Sequence, residues 1–232
     1  MRSSTSLFAG LSLATGLVLS LPAEAHIELA SGPAPAAKTQ KITFAVGHGC
    51  EGGHDTVRIR VDIPAGVTSV RPLFSDFGKP TVIRNGTTVT AVEWTKAATD
   101  ELAADDAFYE ITLRARIPDA AFTRLQFNVT QTCHTPTGDV TVAWDQAPGA
   151  TGNPAPMVNV VPARTPGWNK ITLTRAVAAT DLPLYFGDAQ IVWRGSAAYS
   201  PNAATMEQIG KTAGVTALSG GLASGDELWV KY

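Results

Sequence analysis

Few residues of this 232-residue chain carry the chemistry of metal binding or catalysis. There are four histidines, three methionines and two cysteines. One methionine begins the chain, and the two others, Met157 and Met206, are too few for a thioether site that selects Cu(I). Charged residues make up only 16% of the chain, the formal net charge is −2, and no basic stripe is present. This balance argues against nucleic acid as a partner.

Long apolar runs are also scarce, and the clearest one lies at the start. Arg2 precedes an apolar run over residues 7–21, and the small-residue exit Ala-Glu-Ala follows at 23–25. This arrangement is typical of a secretory signal peptide. The run is too short to span a bilayer with ease, and no later run is long enough. We therefore expect residues 1–25 to be removed and the rest to be periplasmic or secreted, without a membrane span.

Cleavage between Ala25 and His26 would make a histidine the first residue of the exported protein. The α-amine and the imidazole Nδ1 of that histidine can close a chelate ring on a metal ion. Two nitrogen ligands in one plane suit Cu(II). His26 therefore predicts a copper site at the mature amino terminus, the alternative being that cleavage leaves a histidine there by accident.

The two cysteines, Cys50 and Cys133, fit an oxidising compartment and would form one long-range disulfide, with a thiol-based copper site as the alternative. His48 and His54 flank the first cysteine, and His134 follows the second. A Cys50–Cys133 disulfide would bring these three imidazoles into one neighbourhood. They are candidates for a second Cu(II) or Zn(II) site, or else exposed loop residues beside the disulfide.

Short segments that alternate apolar and polar residues fill the chain from about residue 41 to about residue 144 and predict β-strands. They cover residues 41–46, 56–63, 81–84, 87–95, 107–117, 125–133 and 140–144. Asn85-Gly86 predicts a two-residue hairpin turn. Strands in this number and spacing predict a mainly β protein, an antiparallel β-sandwich of the immunoglobulin or fibronectin kind.

A stretch rich in proline, Pro148 to Pro166, marks a change in composition. We divide the exported chain into a copper-binding sandwich domain, residues 26–163, and a small α+β extension, residues 164–232. The extension holds no histidine or cysteine, so any metal site belongs to the sandwich. Because the extension is small to hold a core unaided, we expect it to pack on the sandwich.

Within the extension, residues 171–175 and 227–232 are predicted to be strands. One helix is predicted from Asn202 to Thr212, with Asn202 as its cap and Gly214 beyond its end.

Several blocks of the sandwich segment occur together in a recognisable order: HIELASGPAPAAKTQKITFAV, VRIRVDIPAGV, AVEWT, FYEITLRARIP and VAWDQAPGATGNPAPMV, from His26 to about Val161. They resemble the YcnI family of exported copper-binding proteins. The resemblance implies a β-sandwich and a monohistidine brace, in which the amine and Nδ1 of the first histidine, a glutamate and a nearby tryptophan surround copper. By position these are His26, Glu110 and Trp144. The resemblance gives no role to residues 167–232.

Each of these residues also has an ordinary structural alternative. Glu110 lies in a strand, where it is either a carboxylate ligand for Cu(II) or a solvated side chain. Glu28 is the nearest rival carboxylate. A neutral indole has no free lone pair, so we expect Trp144 to form a wall beside the metal through cation–π contact rather than a ligand bond. Its alternative is a core tryptophan.

The expected function is periplasmic Cu(II) binding by a chaperone or delivery factor rather than an enzyme. The resemblance implies copper-uptake or oxidase-assembly membrane proteins as partners. One alternative is a histidine-brace copper monooxygenase, which needs a second histidine from His48, His54 or His134. The other is a structural or adhesive sandwich without metal.

Overall fold

The computed structural model describes residues 26–50, 52–102 and 107–232, so the predicted signal peptide, residues 1–25, lies outside the described residues. Within the described ranges, no helix combines the length and apolar character needed to cross a membrane.

Seventeen strands and two short α-helices are described. The strands are β1 (Ile27–Leu29), β2 (Ala34–Pro35), β3 (Thr39–Val46), β4 (Thr56–Asp62), β5 (Thr68–Pro72), β6 (Lys79–Asn85), β7 (Thr88–Thr95), β8 (Tyr109–Arg116), β9 (Thr123–Gln126), β10 (Val129–Thr135), β11 (Gly138–Trp144), β12 (Met157–Val161), β13 (Trp168–Thr172), β14 (Ile191–Arg194), β15 (Ala197–Tyr199), β16 (Thr216–Ala217) and β17 (Glu227–Lys231). The helices are α1 (Leu182–Phe186) and α2 (Ala203–Lys211), and single 3-10 turns lie at Ala98–Asp100 and Ala179–Asp181.

The segment up to β12 is built on two antiparallel sheets with the strand orders β1-β3-β8-β5 and β11-β10-β4-β7-β6. A smaller sheet, β2-β12-β9, adjoins them. Side chains from both large sheets form one buried cluster, whose largest fully buried members are Trp94, Phe44 and Phe127. The predicted antiparallel β-sandwich is confirmed.

Alternation along β8 shows why these sequences form strands. Ile111, Leu113 and Ala115 are fully buried, whereas Glu110, Arg114 and Arg116, which alternate with them, are exposed. Successive side chains of a strand point to opposite faces, so this pattern buries one face against the second sheet.

The predicted hairpin near Asn85 is present, but its turn lies one residue further along. Asn85 pairs with Thr88, so Gly86 and Thr87 are the central residues. Gly86 has φ +59° whereas the φ of Thr87 is not positive, which fits a type II′ turn with glycine at its first central position. Asn85 remains in the strand.

The extension forms its own five-stranded sheet in the order β13-β17-β14-β15-β16. Its buried cluster includes Phe122 and Val161, which belong to the sandwich segment, so the extension packs on the sandwich. The ion pair between Arg124 and Asp181, with N···O 2.9 Å, adds a contact between them.

Two local predictions for the extension have different outcomes. The helix is confirmed as α2, and the backbone N–H of Thr205 donates to the side chain of Asn202 over 3.1 Å, which is the predicted cap. The strand predicted at residues 171–175 instead spans Trp168–Thr172. It starts earlier because Trp168 to Thr172 pair residue by residue with β17.

Cys50 and Cys133 form the predicted disulfide, with their Cα atoms 5.9 Å apart and a sequence separation of 83. Cys50 lies in the loop of residues 47–55 between β3 and β4, here called the β3–β4 loop, and Cys133 lies on β10. The bridge therefore ties a loop that leaves one sheet to a strand of the other sheet.

Replacing both cysteines by serine should lower the free energy of unfolding by about 2–5 kcal/mol, because the closed loop is long and the unfolded chain gains freedom. Denaturant titration of the two proteins, monitored by tryptophan fluorescence, measures the difference. An unchanged midpoint would show that the bridge does not constrain the unfolded chain.

Candidate metal centre

His26 lies where the edges of the two sandwich sheets approach each other. It directly precedes β1, the edge strand of one sheet, and Trp144 ends β11, the edge strand of the other. The two ring centroids are 5.9 Å apart and the ring planes are tilted by 55°. The imidazole is partly buried and the indole is only 5% exposed. Two of the three predicted site residues therefore meet.

A buried amide fixes the orientation of Trp144. Its indole Nε1–H donates to Oε1 of Gln131 over 3.1 Å, and Gln131 lies on β10 and is 1% exposed. The amide nitrogen of Gln131 donates to the carbonyl of His48 over 2.9 Å and to Oγ1 of Thr56 over 2.8 Å. Because its N–H is used in this way, the indole can offer only its ring to the space beside His26.

Glu110 lies farther from His26. In the register of the sheet, Glu28 of β1 pairs with Ala45 of β3, which pairs with Glu110 of β8. Two strand spacings separate β1 from β8, which puts their backbones about 10 Å apart. Both glutamates are exposed. The role of Glu110 as a metal ligand stays a prediction. To reach a metal at His26, the carboxylate of Glu110 has to extend across β3.

The register brings His48 toward His26 instead. Ile27 pairs with Val46, and Gly47 and His48 follow directly, so the chain turns away beside the start of β1. The Nδ1 of His48 lies 2.6 Å from the carbonyl oxygen of Gly49. Sequence patterns gave His48 only as a candidate for a second site or, with His54 and His134, for the second histidine of a monooxygenase brace, since nothing in them reveals which strand end lies beside His26.

The other two histidines lie near the disulfide. Cys50 and His54 pair through their backbones, so His54 closes the turn that begins at the disulfide. The imidazole of His134 is hydrogen-bonded to Asp139 over 2.9 Å, and this bond, with the charge of Glu101, raises the pKa of His134. Across the described ranges, no group of three or more His, Cys, Asp or Glu residues could hold a metal ion. The second metal site therefore has no preformed three-ligand set within them.

Residues 26–160 match the family described as a domain of unknown function, DUF1775. The chain belongs to the DUF1775 family. The match starts at His26 and ends within β12, so it spans the sandwich and both site residues that meet there. A comparison with curated proteins gives no match.

Solved structures resemble the DUF1775 segment only distantly. An uncharacterized protein from Nocardia farcinica, described as having an immunoglobulin-like fold, is 23% identical, covers 58% of this chain and 97% of its own, and gives a TM-score of 0.49. The third ScaC cohesin from Acetivibrio cellulolyticus, solved in complex with a ScaB dockerin, is 15% identical over 58% of this chain and 97% of its own, with a TM-score of 0.34. The β-sandwich assignment rests on the strand pairing described above.

Sequence analysis missed a buried ion pair at the end of the β3–β4 loop of the DUF1775 domain. The Nζ of Lys96 lies 2.6 Å from Oδ2 of Asp55, and both side chains are almost fully buried. The Tyr109 hydroxyl donates to Oδ1 of Asp55 over 2.8 Å, and the Leu102 N–H donates to Oδ2 over 2.8 Å. A buried polar pair produces no periodic pattern in the sequence, so the pair of Asp55 and Lys96 is found only from the structure.

These contacts decide the charge of Asp55. Burial by itself would raise its pKa, but the hydrogen bonds from Leu102, Lys96 and Tyr109 and the positive charge of Lys96 together hold the pKa below its ordinary value. The carboxylate is therefore ionised at neutral pH and holds the β3–β4 loop to the segment after β7.

Replacing Lys96 by methionine should lower the free energy of unfolding by about 3–5 kcal/mol at neutral pH, because Asp55 stays buried without its cation. Urea unfolding measures this, and Lys79→Met is the matched control, since Lys79 is exposed on β6 and should change stability by about 0.5 kcal/mol or less.

The same pair fixes a dependence on pH. A carboxyl whose pKa is lower in the folded protein stabilises it above its unfolded pKa, and that contribution is lost as pH falls through the folded value. The double variant Asp55→Asn with Lys96→Met should therefore lose less stability than the unmodified protein as pH falls below about 4. Parallel losses in both proteins would contradict this role of Asp55.

Proposed function

We propose that this protein binds Cu(II) through His26 once residues 1–25 are removed, and that it serves as a copper chaperone or delivery factor in the periplasm. The contact between the His26 and Trp144 rings supports this proposal most strongly. This contact places His26 against the aromatic ring of Trp144. Once residues 1–25 are removed, His26 is the only residue that can supply both an amine and an imidazole. Cu(II) is the ion that favours such nitrogen ligands in a plane.

The proposed role of Trp144 is to line the metal site without binding the ion. Gln131 holds the indole N–H, so the ring is fixed and presents its π-system to a bound cation. A fixed, largely buried ring also keeps water from one side of the site. This arrangement suits a protein that holds copper until transfer rather than one that leaves a coordination position open for oxygen.

The third donor in the proposal is the carboxylate of Glu110, which follows from the resemblance to the YcnI family. The register gives His48 as its rival, because the chain from β3 reaches His48 beside the start of β1. A carboxylate or an imidazole is equally acceptable to Cu(II) as an equatorial ligand, so chemistry alone does not select one. Variants of both residues decide between them.

Delivery to a copper-uptake or oxidase-assembly membrane protein completes the proposal and rests on the family resemblance. The low net charge of −2 and the small number of basic residues fit a protein partner better than a nucleic acid.

The brace is tested by moving the amino terminus by one residue. Protein that begins at Ala25 has an amide in place of the His26 amine, so its Cu(II) affinity should fall by orders of magnitude against protein that begins at His26. Competition titration with a chelator of known affinity measures both. A single alanine added after Tyr232 is the control and should change nothing.

Two results would contradict the proposal in different ways. Equal tight binding by both amino termini would exclude the brace while leaving copper binding intact. No binding by either would favour the metal-free structural sandwich. Oxygen-dependent turnover in the presence of a reductant would favour the monooxygenase alternative over delivery.

The ligand set is tested with single substitutions in protein that begins at His26. Glu110→Gln should weaken Cu(II) binding and alter the visible and EPR spectra, because an amide oxygen is a poorer donor than a carboxylate. Glu28→Gln tests the rival carboxylate beside His26, and Glu207→Gln is the control, since Glu207 is exposed on α2 of the extension. Trp144→Phe should change the spectrum while the protein stays folded, because an aromatic ring still fills the space.

The histidines outside the brace provide the opposing test. Changing His48, His54 and His134 together to alanine should leave one tight copper site. If this triple variant loses binding while Glu110→Gln keeps it, Glu110 is not the third ligand. The single His48→Ala variant then shows whether His48 takes that place.

A further inference from the structure

Three of the five tryptophans of the chain lie on adjacent strands of the extension sheet. Across the strands, Trp193 pairs with Trp229, and Trp229 with Lys170. In the next row on the same side, Ile191 pairs with Lys231, and Lys231 with Trp168. We call the surface formed by Trp168, Lys170, Ile191, Trp193, Trp229 and Lys231 the Trp face.

The Trp face is the more exposed side of this sheet, and its members Ile191, Trp193 and Lys231 are half-buried. Leu228 and Val230, which alternate with Trp229 and Lys231 along β17, are fully buried in the core of the extension. On the opposite side, Trp168 is 52% exposed and Trp229 is 51% exposed. Helix α2 packs on β15 and β16, away from β13 at the far edge.

Indoles as exposed as those of Trp168 and Trp229 are unusual, because the fold does not require a tryptophan at either position. The other two tryptophans, Trp94 and Trp144, are 0% and 5% exposed in the sandwich. A sheet needs only one buried side, so polar residues would serve the fold equally well at positions 168 and 229. Contiguous exposed apolar side chains of this kind mark interaction surfaces.

The charges of the Trp face are positive. Lys170 and Lys231 alternate with the indoles, but Lys170 forms an ion pair with the bordering acid, Glu227, with N···O 2.8 Å, so the two charges of that pair cancel. Within the described part of the chain, Lys231 has no ion-pair partner. A partner that matches this surface needs an apolar layer for the indoles and negative charge for the ammonium group of Lys231.

We propose that the Trp face docks the protein on the surface of an anionic phospholipid bilayer. Tryptophan favours the boundary between headgroups and acyl chains, and lysine adds attraction to lipid phosphates. A neutral glycan fits less well, because it offers no negative charge to Lys231. This proposal is independent of copper binding at His26.

The test uses residues 26–232 without metal, in the presence of a chelator, and two kinds of vesicle. Vesicles of phosphatidylglycerol mixed with phosphatidylcholine should bind the protein, and vesicles of phosphatidylcholine alone should bind it at least about fivefold more weakly. Co-sedimentation measures the affinity. Tryptophan emission should shift to the blue on binding, and added salt should weaken binding because it screens the lysines.

Substitutions place the contact on the Trp face. Trp168→Ala combined with Trp229→Ala should reduce vesicle affinity by about tenfold or more. Phe74→Ala is the matched control, since Phe74 is 88% exposed on the sandwich and should have no effect. Lys231→Gln should reduce affinity by about fivefold, whereas Lys79→Gln, an exposed lysine on β6, should not.

Circular dichroism and thermal unfolding show whether each variant is folded. If the double tryptophan variant does not fold, the Lys231→Gln variant still tests the proposal. Equal binding to both kinds of vesicle would exclude the anionic headgroup as the target. Unchanged affinity in the Trp face variants, or binding to purified peptidoglycan with none to vesicles, would overturn the proposal.

Discussion

The attachment of the β3–β4 loop to β10 is the constraint on which the candidate site depends. The loop is held by the Cys50–Cys133 disulfide, by the hydrogen bond from Gln131 to the carbonyl of His48, and by the backbone hydrogen bond from the His134 N–H to the carbonyl of Asp55. Gln131 also holds the indole of Trp144, which in turn contacts His26. One buried amide therefore links the loop, the second sheet and the amino-terminal histidine.

This arrangement supports the proposed metal site at His26. An amino terminus is ordinarily a mobile part of a domain. Here β1 pairs with β3, and the indole of Trp144 lies beside the ring of His26, so the position of His26 is fixed by both sheets. A ligand that is held in place before metal arrives loses little conformational entropy on binding.

Alternating sequence patterns predicted the sandwich, the disulfide partners and the capped helix, because each depends on local periodicity or on residue type. The same patterns placed one strand of the extension three residues late and the hairpin turn one residue early, since pairing partners decide those boundaries. Gln131, Asp55 and Lys96 escaped prediction altogether. Their roles arise from burial and from contacts between residues that are distant in sequence. The distance between Glu110 and β1 also depends on strand order, which the sequence does not reveal.

The central claim is that one histidine supplies two nitrogen ligands to Cu(II). Pulsed EPR on the variant in which His48, His54 and His134 are alanine tests it most directly, because His26 is then the sole histidine. With ¹⁵N-labelled histidine and a chain that begins at His26, the account predicts ¹⁵N couplings from both an amine and one imidazole. Coupling to the imidazole alone, or to no labelled nitrogen, would contradict it.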